Sequence, residues 1–442
     1  MTMPYQNLQE LIQLHKQGQA LGIYSVCSAN PFVLDAALQQ ALADDSLLLV
    51  EATSNQVDQN GGYTGMTPAK FMEYIVARAA SNGFPVERLI LGGDHLGPNT
   101  WQSQPAEFAM EQSKVLIHDF VRAGFSKIHL DTSMACGDDP QGALDPAVIA
   151  IRAAELCQVA EESSSAGSNP APVYVIGTEV PIPGGAQEEL ESLVPSSARD
   201  VVATIDIHRQ EFAKRGLEAA WERVIAVVAQ PGVEFGSDSV IDYRPEAARG
   251  LVKMIESYDS LVFEAHSTDY QQVIALSRLV VDHFAILKVG PQLTFALREA
   301  LLLLATIEDE LSHLLSGQQP SNLKAALVSV MEVEPGYWRN HYSKDPGKRR
   351  LEQFYSMSDR IRYYWPVPEV QSAVQSLLEN LNSQTIPMTL ISQYFPIEYD
   401  KIRRGELQNR PLDLIQSRVR NVLSAYASAC GVLQPSTAGE SK

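Results

Sequence analysis

Eight short, nearly continuous apolar runs recur along this chain, each followed by a longer stretch of helical character, and that alternation limits the fold more than any other feature. The runs occupy 22–28, 47–53, 88–94, 127–131, 173–179, 225–230, 261–266 and 285–289. Runs of this length without strict polar alternation suit parallel strands buried on both faces. The intervening stretches, such as 69–82, 105–123 and 245–258, carry apolar residues at helical spacing. Thr67-Pro68 opens one of them, Asn82-Gly83 closes it, and Gly124 closes the next. Eight strand–helix units predict an α/β fold, a closed (β/α)8 TIM barrel, with an open parallel sheet as the minor alternative. The barrel is expected over 1–315, with a helical C-terminal extension over 316–442 packed on it.

Three stretches fall outside the repeat. The segment 163–172, SSSAGSNPAP, reads as a solvated link, and 184–223 as a helix-rich insertion. The extension is rich in aromatics (Tyr355, Tyr363, Tyr364, Trp365 and Tyr394) and ends in a polar tail over 434–442. With 45% hydrophobic and 20% charged residues, the chain can build a full core. Lys and Arg number 34 against 53 Asp and Glu, a net charge of −19, which disfavours nucleic acid and anionic membranes as partners. The four cysteines, Cys27, Cys136, Cys157 and Cys430, show no paired spacing and read as reduced thiols. The start, MTMPYQNLQELIQLHKQ, lacks a signal pattern, and no apolar run approaches the roughly 18 residues of a membrane span. A cytoplasmic location is expected.

In such a barrel, polar residues at the C-terminal ends of strands line the active-site mouth. Those ends supply Glu51, Asp94, His95, Asp131, Glu179, Glu264, His266 and Lys288, from six different strands. In LILGGDHLGPNTW, Asp94 and His95 stand side by side; imidazole ligates divalent ions, and a carboxylate binds or deprotonates a hydroxyl. In LVFEAHSTD, Glu264 and His266 share one face by the two-residue period. A His/Glu/His set drawn from three strands (His95, Glu179 and His266) would hold a catalytic divalent ion with open positions. Asp131 is a candidate for orienting a ligand or binding a sugar hydroxyl. Lys288 is read as an ion-pairing or electrostatic group ahead of a Schiff-base lysine. Asn55, Gln56 and Gln59, in the loop after the second strand, offer amides to sugar hydroxyls. Arg360 and Arg362, in DRIRYYW, are candidates for reaching over the mouth to a phosphate, with surface ion pairing as the plainer alternative. His129 sits inside its strand and reads as a packing residue, and His208, in a helical stretch, as a packing or surface residue; His15, His118, His283, His313 and His341 lack the strand-end setting. No Walker loop, dinucleotide fingerprint, nucleophile elbow or zinc finger is present.

Longer motifs carry a resemblance. NQVDQNGGYTGMTP, GGDHLGPNTW, HLDTSMAC, GTEVPIPGG, QPGVEFG, FEAHSTDYQ, SMSDRIRYYWP and ISQYFPIEYDKIRRGEL are similar to the GatZ/KbaZ family. That family is regarded as the second subunit of tagatose-1,6-bisphosphate aldolase and was earlier mislabelled tagatose 6-phosphate kinase. A weaker likeness reaches the class II fructose and tagatose bisphosphate aldolases. It implies His95 as a metal ligand and Asp94 as the proton-handling carboxylate. Glu179 and His266 fall near two further ligand positions, and Lys288 lies in a strand end similar to theirs. The implied cofactor is a divalent metal, zinc first, with manganese, cobalt or nickel as alternatives. Two departures stand out: Ser267-Thr268-Asp269 replaces the aldolases' Gly-rich phosphate loop, and Gly290 replaces an Asn.

The resemblance implies a component of a tagatose-bisphosphate aldolase system in galactitol, N-acetylgalactosamine or tagatose catabolism, supporting a class II catalytic subunit. The alternative is a stand-alone, metal-dependent ketose 4-epimerase acting on fructose- and tagatose-type ketoses or their 6-phosphates, by retro-aldol or proton-transfer chemistry. Implied partners are a ketose or ketose phosphate, the aldolase subunit, and further copies of the chain.

Overall fold

The computed structural model describes residues 5–140, 142–166, 170–177, 193–313 and 318–432. All eight expected runs contain a strand: β1 Ile23–Val26, β2 Leu48–Thr53, β3 Leu89–Leu96, β4 Lys127–Leu130, β5 Val173–Ile176, β6 Val224–Val228, β7 Val262–Ala265 and β8 Ile286–Val289. They form one closed, parallel barrel in sequential order, with β1 pairing β8 through Ile23–Ile286 to Val26–Val289. Closure, which the alternation could not show, is therefore settled. The expected helices form at Pro68–Ser81, Ala106–Arg122 and Pro245–Ile255. Thr67 caps the first, accepting from the Lys70 N–H.

The two-residue period divides the strands cleanly. Tyr24, Leu48, Val50, Tyr174, Ile176, Phe263 and Leu287 belong to the outer core under the helices. Their neighbours Ile23, Leu49, Val175, Val262 and Ile286 form a second, inner core with Leu8, Leu11 and Ile12 of the N-terminal helix Leu8–Lys16. That helix plugs the barrel floor. Two residues further along the same inward faces stand Ser25, Glu51, Glu264 and Lys288, all buried. The barrel interior is thus apolar at the base and charged above it.

Some expectations change. The segment 163–172 does not begin as a loop, because the helix Pro146–Ser165 runs into it and buries Ser163 and Ser164. Ser163 Oγ donates to the Val159 carbonyl at 2.6 Å, which keeps its polar group satisfied within the helix. The insertion after β5 contributes helices Ala198–Lys214 and Glu218–Trp221, and a two-stranded ribbon pairs Glu234–Phe235 with Val240–Ile241. Beyond the barrel, the long helix Pro291–Leu311 leads into a helical C-terminal segment. Its last helix, Pro411–Ala429, packs back on the helices Pro31–Ala43, Val273–Val281 and Pro291–Leu311. The Gly22 N–H then donates to the Cys430 carbonyl at 3.0 Å, tying the end of the segment to the start of β1. Among the described residues, no helix is long and apolar enough to cross a membrane.

Candidate active site at the barrel mouth

The charged layer begins below the mouth. Lys127 at the start of β4 is fully buried and places Nζ 2.6 Å from both Glu51 Oε1 and Glu264 Oε2. Lys288 pairs with Glu51, lies 3.0 Å from Asp94 Oδ1 and 3.8 Å from Glu264 Oε1. Burial disfavours both ammonium groups, but Glu264 and Glu51 around Lys127, and Asp94, Cys27 and Glu51 around Lys288, raise both above the ordinary lysine value. Lys288 is therefore held as an ammonium ion among three carboxylates. Gly92 makes room for this layer, since a Cβ there would meet Glu51 Cγ at 2.7 Å.

Above the lysines sit three imidazoles. The ring centroids of His95, His129 and His266 are 4.9–5.4 Å apart. By strand parity His95 should face outward, next to inward-facing Asp94. Its backbone adopts φ 49°, the left-handed region uncommon for a side chain, and the pairing of β3 with β4 shifts register between Gly93 and Leu96. The bend lets both side chains reach the interior. His95 Nδ1 lies 2.7 Å from Asp131 Oδ2, leaving Nε2 at 3.8 Å from Asp94 Oδ2. A carboxylate on one ring nitrogen, orienting the other toward a ligand, is the usual support for a metal-binding histidine.

Burial opposes ionisation of Asp94, but His95, Lys288 and His129 hold its carboxyl well below the usual range. Asp131 is likewise held down against burial by its bond to His95. His95 is raised, because Asp94 and Asp131 outweigh burial, whereas burial pushes His266 down to about 4. His266 is thus neutral, the form that ligates metals, with Nε2 3.0 Å from Glu264 Oε1.

The donors suit a divalent cation on two counts. Asp94, His129, Glu264 and His266 offer ligand atoms all within 4.8 Å of one another. His129 Nε2 is buried without a hydrogen-bond partner among the described residues, which costs about 1–3 kcal/mol unless something binds it. A second donor group, Cys27 with Glu51 and Asp94, surrounds the position that the Lys288 ammonium already fills.

A cavity of about 100 Å³ opens over this cluster, lined by Asp94, His95, His266, Lys288, Asn55 and Gln56, and roofed by Arg362 and Tyr363. Cys27, Gln56, Tyr63, Gly290 and Arg362 also border a neighbouring cavity of about 590 Å³. The roof is fixed by a buried pair, Arg298 Nη1 to Asp359 Oδ1 at 2.9 Å, with Thr294 Oγ1 donating to Asp359 Oδ2 at 2.6 Å. Burial works against a Tyr363 phenolate, yet Arg362 and Arg360 bring the phenol below its ordinary value.

The structure brings Asp94, His95, His266 and Lys288 to the cavity and places Glu51, Asp131 and Glu264 directly beneath or beside them. Gln56 lines the cavity, but Gln59 turns away and bonds the Gln112 carbonyl at 3.2 Å. Arg360 does not line it: its guanidinium contacts His341 Nδ1 at 2.8 Å and the Tyr363 hydroxyl at 3.4 Å, and the neighbouring Arg362 takes the lining position. Glu179 lies outside the described residues. Two residues escaped the strand-end reading. His129 is buried in the cluster with Nδ1 2.9 Å from Asp94 Oδ1, and Lys127 belongs to the charged layer. Both share the face of Asp131 at two-residue spacing, the signal that would have found them. His208 does pack, with Nδ1 2.8 Å from the Thr204 carbonyl.

A family profile described as D-tagatose-1,6-bisphosphate aldolase subunit GatZ/KbaZ-like matches residues 8–431. The crystal structure of a probable tagatose 6 phosphate kinase from Sinorhizobium meliloti 1021 has a TM-score of 0.85 at 43% identity, covering 92% of this chain and 100% of that one. Fructose-bisphosphate aldolase (Fba) from Campylobacter jejuni scores 0.42 at 13% identity, over 86% of this chain and 96% of its own. The YdjI aldolase from Escherichia coli K12 scores 0.40 at 8%, over 84% and 97%. Scores that low carry nothing about function. The full-length profile match and the 43%-identical structure together show that this chain belongs to the GatZ/KbaZ-like family of D-tagatose-1,6-bisphosphate aldolase subunits.

Proposed function

We propose that the barrel mouth is a working ketose site and that the chain by itself interconverts fructose- and tagatose-type ketoses by inverting C4. The observation that carries this reading is the buried set of Asp94, Lys288 and three histidines under one cavity. A purely supporting subunit has no structural need for it, because buried ion pairs are often replaceable by packed apolar residues without loss of stability. His129, Glu264 and His266 would hold a divalent cation, zinc first, and His95, oriented by Asp131, would join them. When bound, such a cation supplies Lewis-acid polarisation of the ketose carbonyl.

The chain's own groups account for the rest. Asp94, ionised, accepts the proton of the C4 hydroxyl as the C3–C4 bond breaks, and the bonding electron pair passes to C3 and the carbonyl oxygen. The Lys288 ammonium, 3.0 Å from Asp94, compensates the negative charge that develops. Arg362 and Tyr363 roof the cavity and keep the aldehyde half inside. Rotation of that half before the bond reforms, with Asp94 returning the proton, inverts C4; its escape completes an aldol cleavage. Both outcomes share one bond-breaking step, which links epimerisation to the aldolase name of the family.

The family description favours a second reading, in which the chain supports a separate catalytic aldolase subunit. The two readings separate when the purified chain alone is incubated with fructose, tagatose, their 6-phosphates and tagatose 1,6-bisphosphate, with and without EDTA. Product from the lone chain, abolished by EDTA and restored by Zn²⁺ or Mn²⁺, supports the enzyme. No turnover and no bound metal, with activation of an added aldolase subunit, supports the second reading.

A further inference from the structure

The long helix Pro291–Leu311 starts at the cavity wall, where Gly290 and Pro291 are lining residues. In β/α barrels the loops after the last two strands and a helix N-terminus commonly cradle a phosphate with free backbone N–H groups. Here those donors are already engaged. Asp269 Oδ1 accepts from the Gly290 N–H at 3.0 Å and from the Gln292 N–H at 2.8 Å. Pro291 has no N–H, and those of Leu293 and Thr294 point back to the Gly290 carbonyl at 3.0 and 3.4 Å. Asp269 is itself a lining residue and only 3% exposed. A second carboxylate, Glu234, is buried close enough to feel its charge.

We propose that Asp269 is a built-in anion occupying the phosphate position, so that the end of the ketose lying there, C1, bears a free hydroxyl. The assignment of C1 rests on the ketose reading above. Asp94 on β3 handles the C4 hydroxyl, so the chain of the sugar beyond the carbonyl runs toward β7 and β8, where Asp269 and Gly290 stand. Ketose 1-phosphates and 1,6-bisphosphates meet a carboxylate at that wall, and the Gly290 and Gln292 N–H groups that could receive them are taken. A phosphate at C6 lies at the far end of the sugar from that carboxylate. Asp269 therefore acts as a specificity-determining residue, separating this site from one built for a bisphosphate.

Binding can be read without turnover by calorimetry on the metal-loaded full chain, using inorganic phosphate, fructose, fructose 1-phosphate and fructose 6-phosphate. The wild-type chain should bind fructose 1-phosphate about a hundredfold or more weaker than fructose, as expected for like charges brought together at a wall whose backbone donors are taken. Asp269→Ser, which frees the two N–H groups and removes the charge, should bring the two within about tenfold of each other and create measurable affinity for inorganic phosphate. Asp269→Asn, which removes only the charge, should fall between. Wild-type affinity for fructose 1-phosphate equal to or above that for fructose overturns the proposal. So does a D269S chain whose melting temperature falls while its phosphate affinity and 1-phosphate discrimination stay unchanged, the result expected of a helix cap alone. Because the inorganic phosphate arm needs no ketose, gain of phosphate binding in D269S stands even if the chain turns over no sugar.

Discussion

Removing the Lys127 ammonium while keeping its shape tests the buried charge layer most severely. In Lys127→Met, Glu51 and Glu264 lose a shared cation that sits 2.6 Å from each. At an effective dielectric near 20, each contact carries about 6 kcal/mol of gross attraction. Most of that is offset in the wild type by the cost of burying the ammonium, so the net loss is smaller. Breaking a buried pair on one side costs about 3–5 kcal/mol, because the partner carboxylates remain buried and uncompensated. The lysine does not itself line the cavity, and its ion pairs run to Glu51 and Glu264 beneath it. Urea unfolding of the metal-free chain should show that loss. Adding Glu51→Gln should recover part of it, giving a coupling of about 1–3 kcal/mol in the double-mutant cycle. A K127M chain within about 1 kcal/mol of wild type, or additive effects of K127M and E51Q, would refute the picture of one connected charge layer.

Gly92→Ala forces a Cβ against Glu51 Cγ at 2.7 Å, so Glu51 must move and thermal unfolding should show a loss of about 1–3 kcal/mol. Asp359→Ala leaves Arg298 buried without its partner and frees the segment carrying Arg362 and Tyr363. We expect a loss of about 3–5 kcal/mol in urea unfolding together with a raised KM for ketose. Burial pushes His208 down to about 4 in the folded chain. Its folded pKa lies below the unfolded value, so the unfolded state binds the extra proton between about pH 6.5 and 4. Stability from this group is full above that window and falls by up to about 3 kcal/mol as pH drops through it. His208→Asn should flatten that part of the urea-midpoint profile; an unchanged slope would assign it elsewhere.

Much of this architecture could be read from residue order because buried parallel strands advertise themselves as unbroken apolar runs. Closure could not, since it depends on β1 meeting β8, a pairing between residues more than two hundred positions apart with no local signature. Strand ends gave Asp94, His95, His266 and Lys288 because the mouth of a barrel is where charge is expected. Lys127 and His129 were hidden by the same expectation, for they lie at the start and middle of β4, where charge is unusual. Their burial becomes sensible only once Glu51 and Glu264 from two other strands are seen to meet them. The turn of His95 into the interior rests on one backbone angle, which residue type did not foretell. Arg360 and Arg362 are two residues apart in one motif, and only the fold of that segment, set by Asp359 on Arg298, selects Arg362 for the cavity.

If the lone chain breaks and reforms the C3–C4 bond of a ketose, the hydrogen on C4 reports on it directly. In a retro-aldol step that hydrogen stays on the aldehyde carbon throughout, whereas epimerisation by proton transfer at C4 releases it to solvent. Fructose deuterated at C4, incubated with the purified, metal-loaded chain in ordinary water, should yield tagatose that keeps its deuterium, as read by NMR and mass spectrometry. Tagatose with deuterium washed out would contradict the bond-breaking mechanism, and the absence of any tagatose from the metal-loaded chain would contradict the claim that this site works alone.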